Sequence, residues 1–410
     1  MKKRWILLLI SLIILLTFWQ LGGLGFLRSR TIFTPDDNIS SMEERNVEEG
    51  IGEIEAQNNE EAPINSSNNS EVILYASEDL DYEIEIIGEG LTIPWEIVPL
   101  PDGRFLVTER PGSVVMLDSG EIYTVLGVEH VGEGGLLGIE ISPDYEENRQ
   151  IFLYYTYRSG SQIFNRVSRF TFEDNTFTNE VYIVDEIPGS RFHNGGRLKF
   201  GPDDKLYITT GDAQVPNLSQ DINSLAGKIL RINSDGTVPE DNPFEDSPVF
   251  AYGLRNPQGL SWHPVSGELF ASDHGPNSQD EINLILPGKN YGWPIVTCIE
   301  GDTQYEDPVS CYSEFTLAPS GIDFVPWNNL VESTLYVAGL RGNMVMRIDL
   351  DAEGGFIRQK ALFSDFGRIR TVVYYEDAIY VATNNGDGRG ILKENDDKIL
   401  KITPILPTEE

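Results

Sequence analysis

Cysteine, histidine and positive charge are what this chain has least of. Two cysteines occur, Cys298 and Cys311, within one loop-like segment (TCIEGDTQYEDPVSCYS), and no histidine stands beside them. That excludes a zinc site of ordinary spacing. In an exported domain the two would form one local disulfide, and two unpaired thiols are the alternative. Lys and Arg total 30 against 65 Asp and Glu, a formal charge of -35. A nucleic-acid surface needs a basic footprint, and none is written here. The glycine-rich loop VGEGGLLG (residues 131–138) lacks the lysine of a phosphate-binding loop, and no helical pattern follows it, which argues against phosphate binding. No convincing amphipathic helix is present, and the one long apolar run stands at the amino terminus.

That run says where the chain goes. Lys2-Lys3-Arg4 precedes an uncharged stretch, residues 5–27, rich in Leu and Ile. It is near the roughly 20 residues that span a bilayer as a helix, and the cationic flank stays inside. No small-x-small cleavage site or lipidation cysteine is evident, so residues 1–30 read as an anchor, with a cleaved signal segment as the alternative. Residues 31–71 are acidic and polar, nearly free of aromatics, and read as a disordered linker. The predicted location is outside the membrane, with contact to the membrane only through residues 1–30.

Residues 72–406 carry a recurring phrase of turn, alternating strand and second strand. It appears in PDGRFLVTERPGSVVMLD, NRQIFLYYTY, DDKLYITTGDA with GKILRIN, SGELFASDHG, STLYVAGLRGNMVMRIDL, and DAIYVATNNGDG with DDKILKI. Six such units, none able to bury both faces alone, predict an all-β six-bladed β-propeller of four-stranded antiparallel blades. The early strand over residues 82–87 is free to complete the last blade beside residues 398–402.

The stretch RFHNGGRLKFGPDDKLYITTGD (residues 191–212) predicts a hairpin that returns the chain to its start, with His193 beside Asp212. A carboxylate beside an imidazole fixes its tautomer and supports its protonated form, as a general base needs; a structural histidine capping a strand is the alternative. AYGLRNPQGLSW presents Arg255 and Asn256 before a proline turn, where Arg255 is suited to an anion. SDHGPNSQDEINLILPGKNYGWP gathers Asp273, Asp280, Glu281, Asn283 and Tyr291 among Gly turns, an oxygen-rich setting for a hard cation such as calcium. GRIRTVV sets Arg368 and Arg370 two apart on one strand face, either an anion clamp or a solvated pair.

Taken in order, HNGGRL, ITTGD, YGLRNPQGL, HGPNSQDEIN, NYGWP, APSGIDF and GRIR resemble the soluble quinoprotein aldose/glucose dehydrogenases, the glucose/sorbosone dehydrogenase family. The resemblance covers essentially residues 83–402. It implies a propeller binding pyrroloquinoline quinone (PQQ) and calcium, which oxidises the anomeric hydroxyl of aldose sugars to a lactone and passes electrons to an external acceptor, a quinone or a small redox protein. By the same resemblance His193 is the base, Asp212 its orienting carboxylate, and Arg255 the residue that polarises the quinone, with Asn256 a cofactor contact. The carbonyls of Gly275 and Pro276 would hold the catalytic calcium, Glu281 and Tyr291 a structural one, and Arg368 and Arg370 the cofactor carboxylates. A homodimer is admitted.

Two positions depart from the pattern. Glu133 stands where a glutamine contacts the quinone, and a carboxylate there repels an anionic cofactor unless it is protonated or bound to a cation. Leu340 stands where the glucose enzyme has a lysine, and Arg341 beside it could supply the charge. The family fold also serves as a binding module in hedgehog-interacting protein, so a non-catalytic propeller is the alternative function, and a calcium-dependent lactonase-like hydrolase a third.

Overall fold

The computed structural model describes residues 81–298, 301–327 and 333–405; the expected anchor (1–30) and linker (31–71) lie outside them. No helix among the described residues is long and apolar enough to cross a membrane. The first blade holds β2 (Pro94–Pro99), β3 (Phe105–Glu109), β4 (Ser113–Met116) and β5 (Ile122–Thr124), preceded in the chain by β1 (Asp81–Gly88). The second holds β6 (Leu136–Ile141), β7 (Gln150–Ser159), β8 (Gln162–Glu173) and β9 (Thr176–Pro188); the third, β10 (Leu198–Phe200), β11 (Leu206–Thr210), β12 (Lys228–Ile232) and β13 (Val249–Tyr252). In the fourth are β14 (Pro257–Trp262), β15 (Leu269–Asp273), β16 (Asp280–Ile285) and β17 (Ser310–Tyr312). The fifth has β18 (Pro319–Phe324), β19 (Ser333–Gly339), β20 (Met344–Leu350) and β21 (Phe356–Leu362), and the sixth β22 (Ile369–Tyr375), β23 (Ala378–Thr383) and β24 (Ile399–Ile405).

Each sheet is antiparallel and four-stranded, and the sixth reaches that number by adding β1 to β24. Tyr82 faces Pro404, Ile84 faces Ile402 and Ile86 faces Leu400. The closure expected from the sequence is therefore present, and so is the six-bladed architecture.

Burial explains the strand types. β11 and β23, in the middle of their blades, are buried along their whole length, because neighbouring blades cover both faces. The outermost strand β21 is largely exposed. The apolar cores lie between blades: Phe152 and Val167 of the second pack with Leu206, Ile208 and Leu230 of the third. Ile97 and Val107 of the first pack with Ala378, Tyr380 and Ile399 of the sixth.

The first strands of successive blades, β2, β6, β10, β14, β18 and β22, neighbour one another around the axis. They approach so closely that a Cβ on Gly259 would collide with the Ser320 carbonyl oxygen of the next blade. A buried polar belt ties them together. Arg197, 3% exposed, donates from Nε to the Gln258 carbonyl (2.7 Å) and pairs with Glu96, whose Oε1 accepts the Thr371 hydroxyl (2.9 Å). Gly259→Ala should therefore lower stability by about 1–3 kcal/mol through overpacking at the axis, measured by urea unfolding. An unchanged midpoint would mean that the first strands have room between them.

Candidate active site

The hairpin predicted around His193 is formed. Leu198 faces Ile208 and Phe200 faces Leu206, and past the strand the Gly196 N–H still reaches the Thr209 carbonyl (2.9 Å). Gly211 permits the approach, since a Cβ there would strike the His193 carbonyl. His193 Nδ1 consequently lies 2.8 Å from Asp212 Oδ1. Asp212 is fully buried and saturated: Oδ1 also accepts the Gln214 N–H (2.8 Å), and Oδ2 accepts the Trp293 indole N–H (2.9 Å). With Nδ1–H donating to the carboxylate, the neutral ring presents a bare Nε2, and the His193 side chain remains 20% exposed.

Arg255 and Asn256 are bound to the same hairpin. The Asp212 N–H donates to the Arg255 carbonyl (2.8 Å), and the Gly195 N–H donates to Asn256 Oδ1 (3.0 Å). Behind them the buried Asp273 carboxyl accepts both backbone N–H groups, from Arg255 (2.8 Å) and Asn256 (2.6 Å). The Arg255 guanidinium lies 5.3 Å from the centre of the Trp293 ring and donates from Nη1 to the His274 carbonyl (2.9 Å), while its buried Nε has no partner. Trp293 thus serves both the carboxylate and the guanidinium. In the sequence the motif NYGWP offers Tyr291 as its candidate ligand, and nothing local to it points to Asp212, 81 residues away.

Beside Asn194 and Gly195 opens a cavity of about 280 Å³, whose lining includes Arg341, Arg368, Arg370, Arg389 and Glu133. Arg368 bonds Asp387 (2.8 Å) and the Leu340 carbonyl (3.0 Å); Arg370 bonds Gln258 Oε1 (2.8 Å) and Asn384 Oδ1 (3.0 Å). Both keep a buried Nε without a partner. Burial, and after it the nearby Arg110, pulls the Arg370 pKa down to about 9. The pocket is therefore short of negative charge. A flat polycarboxylate such as PQQ would meet that deficit, and Arg341, Arg368 and Arg370 are the lining residues that could hold it. Leu340 offers a carbonyl where the glucose enzyme has lysine, and Arg341 next to it does line the cavity. Arg255 lines a narrow adjoining cleft instead, with His274 common to both.

Glu133 is not isolated, as the sequence alone left open. Its Oε1 lies 2.7 Å from Arg389 Nη1, and its Oε2 accepts the His193 backbone N–H (3.1 Å). Burial opposes its ionisation, yet the Arg389 charge and these hydrogen bonds carry its pKa down to about 2. Of the two conditions set by the sequence, pairing with a cation is the one met. Nothing in the sequence joins Arg389 to Glu133, 256 residues away.

The cleft beside Arg255 joins Asp273, Gly275, Pro276, Glu281 and Tyr291. Asp273 and Glu281 are cross-strand partners, and burial first, then the Glu281 charge, pushes the Asp273 carboxyl up to about 7. Burial also raises Glu281. The buried Asn283 Oδ1 has no partner. Carboxyls held from ionising and an orphaned carbonyl suit a hard cation. Among the described residues no three His, Cys, Asp or Glu side chains converge to hold a metal, so a cation here would depend on carbonyls such as those of Gly275 and Pro276. The Tyr291 hydroxyl donates to the Leu284 carbonyl (2.6 Å) and accepts the Leu286 N–H (2.8 Å), which leaves only its carbonyl for a ligand. Glu281 likewise accepts from Cys298 N–H (2.7 Å) and Asn283 (3.1 Å). Cys298 and Cys311 are bridged, which ties this loop to β17.

A family model described as glucose/sorbosone dehydrogenase matches residues 91–393. An uncharacterised protein of Synechocystis is 34% identical over 369 residues, 78% of this chain and 88% of that protein. Quinoprotein glucose dehydrogenase B of Acinetobacter calcoaceticus is 35% identical over 263 residues, 55% of this chain and 55% of that protein. The solved PQQ-bound aldose sugar dehydrogenase of Streptomyces coelicolor has a TM-score of 0.73 and 37% identity, over 79% of this chain and 99% of that one. Human Hedgehog-interacting protein matches more weakly, at 27% identity over 51% of this chain and 37% of its own length. The chain belongs to the glucose/sorbosone dehydrogenase family.

Proposed function

We propose that this chain is a PQQ- and calcium-dependent sugar dehydrogenase that oxidises the anomeric hydroxyl of aldoses to lactones. The observation that carries the reading is the His193–Asp212 pair (2.8 Å), set beside a cavity whose arginines retain unpartnered donors. When bound, PQQ supplies the hydride acceptor and calcium the Lewis acid. The protein's share is proton transfer, position and field. His193 Nε2 takes the hydroxyl proton, and the Asp212 carboxylate stabilises the imidazolium that results. Arg255, held over Trp293, would offer the quinone a cation. Arg341, Arg368 and Arg370 would hold the cofactor carboxylates, with Asn256 a further contact. Gly275 and Pro276 would hold the calcium through their carbonyls, and Glu281 and the Tyr291 carbonyl would serve a structural ion.

The Cys298–Cys311 bridge supports export, since such bonds persist outside the reducing cytoplasm. We accordingly read the domain as anchored outside the membrane by residues 1–30, passing electrons to an external quinone or small redox protein. The match to Hedgehog-interacting protein keeps a second reading in view, a propeller that binds a ligand without turnover.

The purified chain, given PQQ and calcium, should reduce an artificial dye in the presence of aldoses. Failure to bind the quinone at all would favour the binding module. If His193 is the base, His193→Ala should lose about 10²–10⁴-fold in turnover while still binding the quinone, and Asp212→Asn somewhat less. Unchanged turnover in His193→Ala would remove it from the mechanism. Calcium should also stabilise the cofactor-free chain by mass action, by about 2.7 kcal/mol at a hundredfold excess over its dissociation constant, and so raise its melting temperature. Melting that is indifferent to chelator would remove the metal from the loop beside Arg255.

A further inference from the structure

We propose that Glu133 and Arg389 form a strap that positions the base: Arg389 neutralises Glu133, and Glu133 holds the backbone of His193 in its working conformation. His193 needs such a hold. Its φ is 60°, in the left-handed region that residues with a side chain seldom occupy, and such conformations persist only where surrounding contacts determine them. Three contacts from the strap fall on consecutive residues of this segment. The Glu133 N–H donates to the Arg191 carbonyl (2.7 Å), the Arg389 guanidinium lies 5.5 Å from the Phe192 ring centre, and Glu133 Oε2 accepts the His193 N–H (3.1 Å).

The strap is also fastened at its far end. The Arg389 N–H donates to Asp387 Oδ1 (2.9 Å), and Asp387 Oδ2 pairs with Arg368 Nη2 (2.8 Å). Two ion pairs and two backbone N–H hydrogen bonds thus link Arg368 of the cavity to the backbone of His193. Glu133 is the one acidic side chain in the cavity lining among the described residues. Unpaired, it would repel an anionic occupant; paired with Arg389 it contributes little net charge there. The carboxylate is then compatible with an anion pocket while retaining an oxygen for the His193 amide, so that Glu133 and Arg389 act on the base through its backbone. The part of this inference that concerns the anionic occupant rests on the dehydrogenase reading; the part that concerns the His193 backbone does not.

Two measurements on the full-length chain test it separately. The first is amide hydrogen exchange at His193 without cofactor, read by mass spectrometry, with melting temperature recorded for each variant. Glu133→Ala removes the acceptor and should speed exchange at His193 by about tenfold or more, the loss of one local hydrogen bond, whereas Glu133→Gln keeps an acceptor and should stay within about threefold. The Asp212 amide, which bonds Arg255, serves as the internal reference and should not move. Unaltered His193 exchange in Glu133→Ala would overturn the positioning role, as would a parallel rise at Asp212.

The second is PQQ affinity by titration with calcium present. Arg389→Ala leaves the carboxylate uncompensated and should weaken binding by about tenfold, equivalent to about 1.4 kcal/mol. Adding Glu133→Gln to that variant should restore most of the loss, and Arg389→Lys should stay close to wild type. An Arg389→Ala loss of the same size with and without Glu133→Gln would overturn charge compensation. If the wild-type chain binds no PQQ, the dehydrogenase reading falls, and the exchange experiment still decides the strap.

Discussion

Everything in this molecule depends on the pairing of β1 with β24. A four-stranded blade has two apolar faces and no second layer of its own, so each must lie against a neighbour on both sides. The sixth blade finds its partner only if the ring returns to the first, and the contacts of Ile97 and Val107 with Ala378, Tyr380 and Ile399 are that return. The Ile84–Ile402 and Ile86–Leu400 pairs hold it shut through backbone hydrogen bonds. Closure in turn draws six first strands to one axis. Residues as far apart in the chain as Glu133, His193, Arg255 and Arg389 then meet at one end of that axis. The same crowding that excludes a side chain at Gly259 lets loops from different blades touch.

The electrostatics of that meeting place run against the composition. A chain with a formal charge of -35 builds a cavity lined by four arginines and a single, neutralised glutamate. Burying guanidinium groups costs solvation, and the fall in the Arg370 pKa to about 9 reports this cost. The protein offsets part of it by local bonds to Asp387, Gln258 and Asn384, yet leaves Nε donors on Arg368 and Arg370 unpaired. Each unused donor in a low-dielectric setting is a loss. Donors left over on adjacent arginines indicate a site that an anion completes. Across His274 lies the opposite case, where Asp273 and Glu281 are discouraged from ionising and a cation would complete the set. The two deficits adjoin, so an anionic cofactor and a cation would each relieve the other as well as the protein.

Much of this was legible in the sequence, and the reason is locality. The six recurring phrases each encode one blade, and the hairpin that brings His193 to Asp212 is closed within 19 residues, so turn chemistry and strand alternation suffice to predict it. Arg368 and Arg370 are two residues apart, and both do line the cavity. What the sequence did not reveal lies across blades. Trp293 under Arg255 and against Asp212 is a contact between the third and fourth blades, and Arg389 against Glu133 is made only because the ring closes; no periodicity encodes either. The Glu133 carboxylate illustrates the difference: its residue type raised the question of repulsion, but only the position of Arg389 answers it. Tyr291 shows the converse limit, since its hydroxyl bonds two backbone groups and leaves a carbonyl that no reading of side chains would weigh.

The distinction between an enzyme and a binding propeller turns on which features a binder has no use for. Arginines in a pocket serve either. A carboxylate at Asp212 is different: it is wholly removed from solvent, holds hydrogen bonds from Gln214, Trp293 and the imidazole, and is aimed at a histidine ring that is itself partly open. Taking a carboxylate out of water is costly unless its partners are in place, and here three are supplied. Their joint effect is to hold the carboxylate against Nδ1 and so fix one tautomer of His193. Ligand binding does not require that. Proton abstraction by the opposite ring nitrogen does, and the strained backbone at His193, held from two other blades, adds a further cost that makes sense when the direction of Nε2 matters.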